Sequence, residues 1–184
     1  DVSVKVEENE SLLPLPRVGA RLSLRRLPET VSWLGRGPHE NYPDRKQSAD
    51  LGYWCLPRGA MHTPYIFPSE NGLRCDMRCA QLGDFAIERL DTDLAFSVSE
   101  FDIDTLMRAQ HTNELDTADL LHVHIDGFHM GVGGDDSWSP SVKPSYLLNV
   151  REYRWGFKLR AAAEYLEQLV HRNTLTVAAR DQSQ

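Results

Sequence analysis

At 184 residues the chain has the length of one domain, for which about 150 residues is usual, and little room for a second. Its 20 basic side chains against 27 acidic ones leave a net charge of −7, which removes any general electrostatic drive toward nucleic acid or an anionic membrane surface. With 41% hydrophobic and 26% charged residues, it has the composition of a folded domain with a core to bury, and a disordered tail is excluded.

The start, Asp1-Val2-Ser3-Val4-Lys5, has neither the basic nor the apolar region of a signal peptide, and no uncharged apolar run approaches the ~18 residues that span a bilayer. A soluble, cytoplasmic protein is expected. Because the chain begins at Asp rather than Met, that start reads as a boundary inside a longer polypeptide. Residues 2–6 and 20–24 alternate apolar and polar with period two, the pattern of half-buried strands. Prolines and glycines then punctuate the first 75 residues too densely for long helices, so this half is expected to be strands and loops. Residues 94–98 alternate again. Residues 102–109 have an acidic start and helix-forming content, which predicts a short helix. The alternation of residues 121–126 puts Leu121, Val123 and Ile125 on one face and His122 and His124 on the other, predicted to be solvated. Residues 146–150 and 153–159 predict a closing pair of strands joined by a turn at Arg151-Glu152. Helix formers and an apolar spacing at 162, 165, 166 and 169 predict an appended helix after Arg160, with a polar end at 181–184. The expected class is all-β, an antiparallel sandwich over residues 1–160, with residues 161–184 as the appended helix and tail.

Cys55, Cys75 and Cys79 are an odd number, which argues against a full disulfide framework and for a reducing compartment. Cys75 and Cys79 with His122 and His124 make a poor zinc set, since structural zinc sites use two tighter ligand pairs. Buried or idle thiols are the plainer reading.

Three stretches stand out chemically. The first is Trp33-Leu34-Gly35-Arg36-Gly37-Pro38-His39-Glu40-Asn41-Tyr42-Pro43-Asp44-Arg45, rigid and turn-rich. It reads either as a polar ligand surface or as a charge network that fixes a long irregular loop. The second, Tyr65-Ile66-Phe67-Pro68-Ser69-Glu70-Asn71-Gly72-Leu73-Arg74, invites the same two readings. The third is Ile125-Asp126-Gly127-Phe128-His129-Met130-Gly131-Val132-Gly133-Gly134-Asp135-Asp136-Ser137-Trp138-Ser139-Pro140-Ser141. It meets no phosphate-loop pattern, and the adjacent Asp135 and Asp136 diverge too much for a retaining glycosidase pair, which needs its carboxyls ~5 Å apart. Trp138, on a loop stiffened by Pro140 and cleared by glycines, is either a flat apolar face for a sugar ring or a core tryptophan. His111, His122, His124 and His129, taken with Glu70 or Asp126, leave open an acid–base pair of the aldose-epimerase kind.

In order, these three stretches resemble the C-terminal domain of the large β-galactosidases of glycoside hydrolase family 2, the part called the small chain in two-subunit forms. The resemblance runs from about Val2 to Leu159. It implies a galactose-mutarotase-like antiparallel β-sandwich beside a TIM barrel that carries the two catalytic glutamates and the metal ligands. The implied parent hydrolyses terminal β-D-galactosides, including lactose, with retention, depends on magnesium and sodium, and is a homo-oligomer. No catalytic residue and no cofactor is then expected in this chain, and its partners are a β-galactoside and the remainder of the enzyme or its large subunit, not nucleic acid or membrane. The resemblance puts the family's sugar-stacking tryptophan on Trp138, with Asp136, Ser137 and His129 around it. The family's domain has further strands before the point matching Asp1, so the chain corresponds to its later portion. The competing readings are a free-standing carbohydrate-binding sandwich and a mutarotase-like epimerase.

Overall fold

A computed structural model describes residues 1–6, 14–25, 27–117, 119–136, 138–139 and 141–161. In chain order these form β1 (Val2–Lys5), β2 (Arg17–Leu24), β3 (Thr30–Gly37), β4 (Asp50–Pro57), β5 (Arg74–Met77), β6 (Cys79–Leu82), β7 (Phe85–Arg89), β8 (Leu94–Ser99), α1 (Ile103–Arg108), β9 (Leu121–His129), β10 (Glu152–Trp155) and β11 (Phe157–Ala161). One sheet has the order β11-β7-β6-β3-β4, a second β2-β9-β8-β5, and β1 pairs with β10. Every pairing is antiparallel. The chain is the all-β sandwich its alternating segments predict.

Period-two alternation builds the core. Leu121, Val123 and Ile125 of β9 and Leu94, Phe96 and Val98 of β8 meet Val31 and Trp33 of β3, Ala80 and Leu82 of β6 and Ile87 of β7 in one buried cluster. Trp33 and Phe96 meet edge to face, with ring centroids 5.8 Å apart. Each Val, Leu, Ile or Phe side chain so taken out of water contributes roughly 1.5–3 kcal/mol. A smaller cluster of Tyr42, Leu73 and Cys75 packs on Ala95, on the opposite face of the β5–β8–β9 sheet. The predicted helix is α1, and no helix among the described residues is long and apolar enough to cross a membrane.

Four expectations need correction. Residues 33–37 are not loop, because all of them pair with β4 and Trp33 and Leu34 pair with β6 as well, and ladder hydrogen bonds hold that glycine-containing run extended. The closing hairpin does not form either. Pro144–Tyr146 is a 3-10 turn, Leu148 makes only a bridge to Leu15, and the run 153–159 breaks at Gly156 into β10 and β11, which join different sheets. The face of His122 and His124 is not solvated: His122 is buried, and the neighbouring strands place Ser23 and Ser99 beside it and Arg21 and Ser97 beside His124. Ala161 is not helical but ends β11, opposite Phe85. The rest of the predicted C-terminal helix, residues 162–184, lies outside the described residues.

Candidate functional site

The three stretches converge at one end of the sandwich. The first leaves β3 at the cis Gly37–Pro38 bond and is tied to the second by side chains that replace ladder bonds. The Asn41 amide N–H donates to the Leu73 carbonyl at 2.8 Å, and its side-chain oxygen accepts the Cys75 N–H at 2.8 Å. Glu40 accepts the Gly72 N–H at 2.8 Å and the Tyr65 hydroxyl. Arg74, 2% exposed, donates to the carbonyls of Met61 at 2.9 Å, Gly72 at 2.6 Å and Pro38 at 3.2 Å. Its guanidinium carbon lies 5.7 Å from the Trp33 ring centroid. Burial pulls Arg74 down to about 10, so it is charged at neutral pH. Arg36 bonds Asp76 at 2.6 Å and the Ala49 carbonyl at 2.7 Å, and Lys46 also bonds Asp76. Burial alone would raise the Asp76 carboxyl, but these two cations hold it below its ordinary value. The side chains of these two stretches form a charge network that fixes irregular loops.

Arg17 links the second stretch to the third. It donates to Asp126 at 3.2 Å and to Glu70 at 3.0 Å. Asp126 is almost fully buried; burial pushes the Glu70 carboxyl up against the pull of Arg17. Arg17 sits outside all three stretches, and nothing in the sequence marks it. His124 lies on the same strand face as Asp126, pushed down to about 4 by burial and then by Arg17 and Arg21, so it is neutral at physiological pH. His129 ends β9 with its ring 5.5 Å from that of Tyr42. Its Nδ1 donates to the Met130 carbonyl at 2.7 Å, and burial holds its pKa below the ordinary value. His111 pairs with Glu114 at 2.9 Å on the exposed surface. Asp126 and one oxygen of Glu70 thus accept from the same guanidinium, a poor arrangement for a general base.

Beyond β9 the chain makes a loop whose two ends meet, the Gly131 N–H donating to the Tyr146 carbonyl at 2.9 Å. Such closed loops present residues while their ends stay fixed. Asp44 of the first stretch accepts the Val132 N–H at 3.1 Å and the Gly133 N–H at 2.8 Å. The spacing is close enough that a Cβ on Gly131 would lie 2.4 Å from the Asp44 carboxylate. Gly133 has φ +69 and faces the Ser141 carbonyl, a conformation that suits glycine. At the tip Asp136 accepts the Trp138 N–H at 2.8 Å, the Ser139 N–H at 2.7 Å and the Ser139 hydroxyl at 3.0 Å. These bonds, the Ser139 amide foremost, hold its carboxyl below the ordinary value. Asp135 pairs with Lys143 at 3.2 Å. Trp138 is 90% exposed, so it is not a core tryptophan of this sandwich. Ser137 lies outside the described residues.

Among the described residues no group of three or more His, Cys, Asp or Glu side chains is arranged to hold a metal ion. Cys75 and Cys79 are buried, and burial pushes their thiols up to about 12 and about 11.

Comparison with known proteins adds the family. The family described as beta galactosidase small chain matches residues 1–159. The chain is 49% identical over 163 residues to a beta-galactosidase of Aeromonas hydrophila, covering 86% of this chain and 16% of that protein. It is 48% identical over 163 residues to a beta-galactosidase of Vibrio cholerae, covering 89% and 16%, and 49% identical over 154 residues to one of Psychromonas ingrahamii, covering 84% and 15%. The chain therefore spans about one sixth of the length of these relatives.

Proposed function

The chain belongs to the β-galactosidase small-chain family, and from this we propose that it is the C-terminal part of a β-galactosidase that hydrolyses terminal non-reducing β-D-galactose residues with retention. In this reading the nucleophile, the general acid and the magnesium and sodium ions belong to a TIM barrel outside these 184 residues. Residues 1–161 are the later portion of a sandwich domain that packs against that barrel in a cytoplasmic homo-oligomer, and residues 162–184 have no assigned role. This chain contributes Trp138, against whose indole the apolar C–H face of the galactosyl ring stacks. Asp136 shapes the turn beneath the indole, Ser137 is its neighbour, and His129 supports the loop base.

The observation that carries the reading is Trp138 itself: a large apolar side chain left 90% exposed on a loop whose backbone is tied at both ends and at its tip. An indole presented to water on such a loop offers a flat apolar face on which a sugar ring can stack. The carboxylates nearby accept hydrogen bonds from their own chain and lack the paired geometry of glycoside hydrolysis. In the longer enzyme that contains this chain, Asp136→Ala should therefore leave kcat for an aryl β-galactoside within about threefold while raising KM, and the isolated chain should show no turnover. A fall in kcat of about 1,000-fold or more would make Asp136 a catalytic residue and overturn this division of labour.

A further inference from the structure

We infer that Asp44, whose carboxylate holds the Val132 amide 88 residues further along the chain, is the positioning residue of the sugar-stacking loop and fixes the place that Trp138 occupies. The inference rests on the reading of Trp138 as a sugar-stacking face. Being almost fully exposed, the indole takes little of its position from packing against the domain, so the backbone that carries it sets where it stands. Beyond the Gly131–Tyr146 bond that closes its ends, carboxylates hold that backbone at its tip and at its base. At the tip, Asp136 accepts the amides of Trp138 and Ser139, which fixes the local turn but moves with the loop. At the base, each Asp44 oxygen accepts one amide, Val132 to Oδ1 and Gly133 to Oδ2, so one planar group sets the direction of two successive peptides.

Asp44 is itself anchored. The Arg45 N–H closes a turn onto the Tyr42 carbonyl at 2.8 Å, Tyr42 is buried, and Asn41 and Glu40 tie the same segment to the second stretch. The clamp therefore connects the loop to a segment that is itself bonded to the second stretch. It is also specific for a carboxylate. An asparagine offers one oxygen, and its amide would oppose the other backbone N–H, leaving a donor without an acceptor. A glutamate is a methylene too long for a gap in which a Cβ on Gly131 would lie 2.4 Å from the carboxylate.

The test is a double-mutant cycle in the longer enzyme, using Asp44→Asn, Trp138→Ala and the pair, with an aryl β-galactoside as substrate and hydrogen exchange read over residues 130–136. Asp44→Asn should raise KM by about tenfold with kcat within about twofold, and should speed exchange at Val132 and Gly133. In the Trp138→Ala background it should add less than about twofold, because a positioning residue has nothing left to position. If Trp138→Ala raises KM and Asp44→Asn does not, the positioning role falls and the stacking reading stands. If Trp138→Ala leaves KM unchanged, the stacking reading falls and this inference with it. Effects that multiply in the double variant would show that Asp44 acts independently of the indole, which overturns the inference. So would loss of kcat and faster exchange spreading into residues 74–77, the signature of a fold defect.

Discussion

Trp33 and Trp138 are the same residue type put to opposite uses, and the contrast separates what holds this molecule together from what it offers to others. Trp33 is fully buried between the sheets, its ring against Phe96 and its Nε1 donating to the Arg36 carbonyl at 2.9 Å. Trp138 is 90% exposed, and its backbone, not its ring, makes the contacts. An indole whose apolar surface and single donor are both satisfied within the fold is structural. One whose surface is left open on a tied loop is the face to which we assign the sugar ring. The same division runs through the charged groups: Arg74 and Arg17 are satisfied inside the network, and the polar groups of the Trp138 loop serve its backbone.

The sharpest test of the structural half is Trp33→Ala, which should cost about 3–5 kcal/mol by opening a cavity in the main core. Urea unfolding followed by intrinsic fluorescence measures it, and a loss below about 1 kcal/mol would contradict the packing described. Arg74→Met comes next. It keeps much of the side-chain volume but strips the carbonyls of Pro38, Met61 and Gly72 of their donor, so roughly 3 kcal/mol should be lost. Arg74→Lys should recover only part of this, because an ammonium cannot span three carbonyls as a fork does.

A smaller effect depends on pH. In the unfolded chain His124 takes up its proton near pH 6.5, whereas in the fold burial and the nearby arginines delay that until about 4. The unfolded state therefore binds more protons in this window, so the stabilisation is complete above about pH 6.5 and drains as pH falls toward 4. Urea midpoints at pH 7 and pH 4.5 should converge in His124→Gln relative to the unsubstituted protein. An unchanged pH dependence would mean that this face is open to water after all.

How much of this was legible in the sequence follows from what each segment depends on. β2, β8 and β9 were readable because each carries its own periodicity, and their apolar sets pack in the core, while α1 was marked by its acidic start. β3 was not, since Gly35, Gly37 and Arg36 argue locally for a turn while pairing with Gly52, Asp50 and Leu51 of β4 holds them extended. Residues 153–159 look like one strand because alternation cannot show that the chain changes sheets at Gly156. At the site, the three stretches were conspicuous as composition, but their convergence was not, for the bonds that join them run from Asn41 to Cys75, from Asp44 to Gly133 and from Arg17 to Glu70. The exposure of Trp138 is likewise a property of the folded loop. Sequence left it open between core and surface, and only the resemblance tilted it toward the surface.

The most direct test of the central claim is Trp138→Ala in the longer enzyme, with KM, kcat and the thermal midpoint measured on one preparation. Loss of the stacking face should weaken substrate binding by about 1–3 kcal/mol, a rise in KM of roughly ten- to hundredfold, with a smaller fall in kcat. The midpoint should barely move, as expected for an exposed side chain, and Trp138→Phe should recover part of the binding. An unchanged KM, or a rise matched by loss of the folded enzyme, would contradict the account.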